Sequence, residues 1–85
     1  MNYKIFIEKS ALKDLSKIPI QDQSRIINSI QNLSKNPRPP GSKKLSGRDA
    51  WRIRFGNYRV IYEIHDDRLI ILVINIGHRK DIYRI

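Results

Sequence analysis

Eighty-five residues carrying 17 Lys and Arg against 8 Asp and Glu give a formal charge of +9, on a chain long enough for one hydrophobic core without covalent staples. The absence of cysteine excludes disulfides, thiolate nucleophiles and cysteine-based zinc sites, and the two histidines, His65 and His78, come without a carboxylate pattern suited to a metal. No basic-then-apolar leader opens the chain, and its longest apolar run, Leu69–Ile74, is far below the roughly 20 residues of a bilayer span.

These features predict a single domain over residues 1–85, soluble and cytoplasmic, with neither metal nor cofactor. The excess of positive charge points to nucleic acid, an anionic membrane surface or an acidic protein partner. Between residues 35 and 59, Lys35, Arg38, Lys43, Lys44, Arg48, Arg52, Arg54 and Arg59 face a lone Asp49. A charge that served solubility alone would be interspersed with acids, so this run favours nucleic acid.

In chain order, Tyr3–Ile7 alternates as a first strand. From Ser10, a suitable N-cap, Ala11, Leu12, Leu15 and Ile18 fall at helical spacing, and Pro19 closes that helix or sits in the turn after it. A second helix is expected from Asp22 to about Lys35, with Ile26, Ile27, Ile30 and Leu33 on its inner face and Asn36-Pro37 at its end. The two form a helical hairpin. Arg38 to Ala50, rich in Pro, Gly, Ser and Lys, reads as an ordered but mobile loop.

Three strands follow, Ala50–Phe55, Asn57–Ile64 and Leu69–Ile76, joined by Gly56-Asn57 and by the longer His65-Asp66-Asp67-Arg68. The last is apolar on both sides, as a central strand is. Gly77 punctuates its end, and Asp81–Ile85 is a short tail. The order β-α-α-β-β-β predicts an α+β fold of two layers, a helical hairpin packed on a mainly antiparallel four-stranded sheet.

The stretch Trp51-Arg52-Ile53-Arg54-Phe55-Gly56-Asn57-Tyr58-Arg59 holds the clearest functional signal. Alternation puts Trp51, Ile53 and Phe55 on one face and Arg52 and Arg54 on the other, about 7 Å apart at roughly 3.4 Å per residue. Tyr58, Val60, Tyr62 and Ile64 turn to the helices, which leaves Arg59 on the open face with Arg52 and Arg54. Planar guanidiniums at that spacing suit phosphates, although a solvated sheet face has the same pattern. Glu63 shares the basic face by parity, as a partner for an arginine or as a base. His78-Arg79-Lys80 adds a second basic cluster. Lys43, Lys44, Arg48 and Lys80 are expected backbone contacts to RNA.

The element order, Lys44-Leu45-Ser46-Gly47, the Gly-x-Tyr-Arg-x-x-Tyr pattern from Gly56 to Tyr62 and the Gly-His-Arg-x-x-x-Tyr pattern from Gly77 to Tyr83 resemble the RelE/ParE superfamily of type II toxin–antitoxin toxins. The resemblance spans essentially the whole chain. It implies a toxin that enters the ribosomal A site, cuts mRNA there without a metal, and is neutralised by a cognate acidic antitoxin in a hetero-oligomer. It also implies site residues: Arg52 and Arg54 on the strand before the turn, Arg59 after the tyrosine, Arg79 in the last basic cluster and the C-terminal Tyr83. RelE-type members carry lysines where this chain has Arg52 and Arg54. The ParE branch shares the fold, inhibits DNA gyrase and lacks much of the basic set, which makes gyrase inhibition the first alternative; a non-catalytic basic RNA-binding module is the second.

Metal-free RNA cleavage sends the ribose 2′-OH against the adjacent phosphate, and it needs a proton removed, phosphorane charge stabilised and the leaving 5′-oxygen protonated. Arginine fits the second task and is a poor base, since its pKa lies above about 12. Arg52 and Arg54 are therefore assigned to clamping phosphate, with Arg59 and Arg79 closing on the scissile group. His78, of ordinary pKa roughly 6.5, suits proton transfer, and Tyr83 suits stacking on a base or orienting the 2′-OH.

Overall fold

The computed structural model describes residues 2–47 and 49–78. Its elements are β1 (Lys4–Ile7), α1 (Lys9–Ser16), α2 (Ile20–Asn32), β2 (Lys43–Lys44), β3 (Trp51–Phe55), β4 (Tyr58–His65) and β5 (Ile70–His78). The strands form one sheet in the order β1-β5-β4-β3-β2. β1 runs parallel to β5, and the other neighbours are antiparallel.

The helices form because Ala11 and Leu15 on α1, then Ile26, Ile30 and Leu33 at the end of α2, recur at three- and four-residue spacing and are buried. They pack on Ile53, Val60, Tyr62, Ile71, Val73 and Ile76 from the sheet. Full burial of each aliphatic side chain contributes about 1.5–3 kcal/mol. The Gln23 side-chain amide donates to the Ile18 carbonyl at 2.7 Å, satisfying an acceptor that the turn between the helices leaves over. Ser34 Oγ donates to the Tyr3 carbonyl at 2.7 Å and the Tyr3 N–H to the Ser34 carbonyl at 2.8 Å, which ties the end of α2 to the start of the sheet.

Several expectations are corrected. The sheet has five strands, since Lys43–Lys44 inside the expected loop pairs antiparallel with β3. A two-residue lysine strand has no apolar alternation and is created by its neighbour. Glu8, not Ser10, occupies the N-cap of α1. α2 begins at Ile20 after Pro19 and ends at Asn32 rather than Lys35. Leu12 and Ile27, expected inward, are 47% and 37% exposed, because each helix has room against the sheet for only one narrow apolar stripe.

One irregularity decides which residues share a face. Ile61 pairs with Asn75 but Tyr62 pairs with Val73, so β5 carries one extra residue there. A β-bulge of this kind reverses the alternation beyond it. Val73 and Ile76 both face the helices, while Asn75 and Gly77 lie on the opposite side with Ile61 and Arg59.

Candidate nucleic-acid interface

The face of the sheet away from the helices is assembled in cross-strand rows. Arg54 pairs with Arg59, and Arg59 with Gly77. In the next row, Lys43 pairs with Arg52, and Arg52 with Ile61. The Gly56-Asn57 turn that brings β3 and β4 into this register places Gly56 at φ 56°, a left-handed conformation in which a β-carbon is strained. Two adjacent rows thus set like charges directly opposite each other, an arrangement that destabilises a sheet.

Arg54 is exposed, Arg52 half-buried and Arg59 only 1% exposed. The expectation of an open position for Arg59 is therefore corrected: it keeps the predicted face but is buried. β4 is an interior strand, flanked on both sides by β3 and β5. The Nε of Arg52 and two guanidinium nitrogens of Arg59 are closed off from solvent.

His78 is not brought to these arginines. Its register partner is Tyr58, and its ring meets the Tyr58 ring edge-on at 5.8 Å between centroids. It opens onto a cavity of about 410 Å³ shared with Asp14, Lys17 and Pro19, on the helical side. The bulge in β5 is the reason; unbroken alternation from Val73 would have put His78 on the arginine face. Tyr58 is anchored there by a hydrogen bond from its hydroxyl to Asp22, 3.0 Å. Burial first, then that bond, pushes the Tyr58 hydroxyl pKa above its ordinary value.

Glu63, left open between two roles in the sequence, pairs with His65 at 2.9 Å (Nε2 to Oε1). Both lie on the arginine face of β4, in the rows beyond Ile61. Spacing of two residues on one strand is the signal that points to such a pair. Lys43 stands on the same face as Arg52, whereas Lys44 is opposite Trp51, on the helical side. Arg48, Arg79, Lys80 and Tyr83 lie outside the described residues.

Not every cation of the basic run belongs to this face. Arg38 donates to Asp66 at 2.9 Å and lies 5.2 Å from the Trp51 ring centre. Tyr3 donates to the other Asp66 oxygen at 2.5 Å. The bond from Arg38, then that from Tyr3, hold the Asp66 carboxyl below its usual pKa. Close by, the Tyr62 hydroxyl donates to the Pro37 carbonyl at 2.7 Å. Burial pushes that hydroxyl up to about 12. These contacts hold down the segment that leads from α2 to β2.

That segment forms the wall of a second cavity, about 440 Å³, between the end of α2 and the rim of β3. Ser29, Asn32, Pro39, Pro40 and Gly41 line it, and Lys43, Arg52 and Arg54 reach it from the sheet. Sequence reasoning assigned no role to Asn32 or the two prolines. Among the described residues, no cluster of three or more His, Cys, Asp or Glu suits a metal ion, and no helix is long and apolar enough to cross a membrane.

Comparison with known proteins accounts for this architecture. Residues 5–83 match the family of ParE toxins of type II toxin–antitoxin systems, parDE. The chain belongs to the RelE/ParE family of toxins. Toxin RelE3 of Methanocaldococcus jannaschii is 36% identical, over 94% of each chain. The mRNA interferase toxin RelE of Escherichia coli strain K12 is 24% identical, over 94% of this chain and 86% of that protein. Among solved structures, the RelE–RelB complex from Pyrococcus horikoshii is 29% identical with a TM-score of 0.83, covering 93% of this chain and 97% of that one. As a toxin of a type II system, the chain carries its basic face on the fold of these relatives.

Proposed function

We propose that this toxin is a ribosome-dependent mRNA endonuclease of the RelE kind, acting in the cytoplasm and neutralised by a cognate antitoxin. The observation that carries the reading is the pair of like-charged rows, Lys43 opposite Arg52 and Arg54 opposite Arg59. Cations gathered in adjacent rows on one face attract a polyanion. The RelE names of its relatives and the antitoxin bound in the Pyrococcus complex support it further.

In this reading Arg52 and Arg54 grip consecutive phosphates, since guanidiniums match phosphate oxygens bidentately, and the buried Arg59 adds positive charge from beneath them without touching the ligand. The 2′-oxygen forms a bond to the adjacent phosphorus and the P–O5′ bond breaks. A 2′,3′-cyclic phosphate and a 5′-hydroxyl result, with the 2′-proton lost and one gained by the leaving oxygen. Glu63 is diagonal to Arg52, at a spacing of about 7–8 Å. The Glu63–His65 pair therefore serves proton transfer from the arginine face, in place of His78. By resemblance, Arg79 and Tyr83 complete the site.

The test is to induce the toxin, map mRNA 5′ ends and measure DNA supercoiling in the same cells. Cuts inside translated codons with normal supercoiling are expected. Intact messages with altered supercoiling would replace this reading with gyrase inhibition, the activity implied by the ParE side of the family.

A further inference from the structure

We infer that the cavity at the rim of β3 is a nucleoside subsite, which reads one base of the RNA beside the clamped phosphate; this rests on the mRNA-cleavage reading. Four observations meet there. First, the β2–β3 ladder stops at the Lys43–Arg52 pair. The Leu45 N–H donates to the Ala50 carbonyl at 2.9 Å, which sets the phase: Ala50, Arg52 and Arg54 turn their main-chain groups away from β4. Arg54 thus presents an N–H and a C=O toward the cavity, one step beyond the last paired residue.

Second, the chain has left the ladder where a partner for Arg54 would stand. Gly41, next in register, stands outside the ladder at φ 90°, with open space where its β-carbon would be. Third, the walls suit a base. Pro39 and Pro40 give apolar surface without N–H groups, in a turn closed by the Ser42 N–H to the Pro39 carbonyl at 2.9 Å. Asn32 supplies a side-chain amide at the end of α2. The Ser29 hydroxyl donates within its helix to the Arg25 carbonyl at 3.1 Å, so toward a ligand it acts as an acceptor. The volume, about 440 Å³, falls within the roughly 300–1,000 Å³ of small-molecule sites.

Fourth, Lys43, Arg52 and Arg54 stand at the mouth. A ligand with a flat, hydrogen-bonding head and an anionic neighbour is the match, which describes a nucleotide within RNA. Addition of a protein strand fits less well, because a rim only one residue past the ladder offers few main-chain hydrogen bonds and its cationic mouth attracts phosphate.

Two measurements test the subsite. Chemical-shift mapping of the intact toxin with a 2′-O-methyl dinucleotide, which cannot be cleaved, should move the amides of Asn32, Gly41 and Arg54. No movement there at saturation overturns the subsite whether or not the toxin cuts mRNA. So does movement of the Arg54 amide by an acidic antitoxin peptide alone. Mapping cleavage ends for Asn32→Ala and Asn32→Asp should change the base preference at one position next to the cut by about tenfold, the worth of one good hydrogen bond. Unaltered preference in both variants overturns base reading. A parent that cuts no message refutes the cleavage reading, and the dinucleotide result then decides the subsite on its own.

Discussion

The two ends of the sheet handle charge in opposite ways. Toward the start of β1 and the β4–β5 turn, charge is matched within the chain: Arg38 with Asp66. Toward the Gly56 turn they are stacked with their own kind, Lys43 against Arg52 and Arg54 against Arg59. The first end gains fixed geometry, a loop held by Tyr3, Arg38 and Tyr62. The second end gathers positive charge on one face, where an anion is attracted. The matched end builds the scaffold and the basic rows build the site, so substitutions at the two ends should have different consequences.

The largest effect should come from breaking the stacked rows. Arg52→Ala with Arg54→Ala is expected to lower single-turnover mRNA cleavage by about a thousandfold or more, each lost donor to the developing phosphorane charge being worth about a hundredfold or more. A double variant that cuts normally would remove these residues from the site.

Next comes proton transfer. Glu63→Gln and His65→Ala should each slow cleavage by about a hundredfold, the lower end of general acid–base effects. His78→Ala, on the far face against Tyr58, should stay within about threefold. The reverse ranking, measured on programmed ribosomes, would return the role to His78.

Smaller effects belong to the matched end. Tyr62→Phe removes the bond to Pro37 and should cost about 1 kcal/mol of stability by urea unfolding at neutral pH. It should also change the alkaline limb. The folded-state pKa of Tyr62 is raised from 10.0 to about 12, so its contribution is full below pH 10 and lost as pH rises toward 12. The phenylalanine variant should lack that loss. Asp66→Asn should have the smallest effect, since Asp66 is solvent-exposed. Its carboxyl is held below 3.8 when folded, so the contribution is present above that pH and falls away as acid protonates it. The variant's acid unfolding curve should be flatter below pH 3.8.

How much of this was legible in the sequence follows the same division. Period-two and helical spacing were enough for β1, β3, β4 and both helices, and a run apolar on both sides was enough for β5, because all of them pack on the same core. Lys43–Lys44 was hidden because nothing local makes it a strand; its pairing is long-range. The like-charge rows were half legible. Alternation put Arg52, Arg54 and Arg59 on one face, but the burial of Arg59 follows from its place in an interior strand between β3 and β5. His78 was misplaced by a single extra residue in β5, and no glycine or proline marks the bulge within Val73-Ile74-Asn75. The Asn32 cavity was illegible, since it joins a helix end, a proline turn and a sheet rim that meet only in the folded chain.

The claim that the basic rows bind a polyanion is tested most directly by thermal unfolding of the parent and the Arg52→Ala/Arg54→Ala variant, with and without a 2′-O-methyl oligonucleotide. At low salt and a concentration near one hundred times the dissociation constant, the parent should gain about 2.7 kcal/mol. That gain should shrink as salt is added, with a slope of about 0.7 per phosphate contact for a single strand, and the variant should gain almost nothing. Equal stabilisation of both proteins would contradict the account.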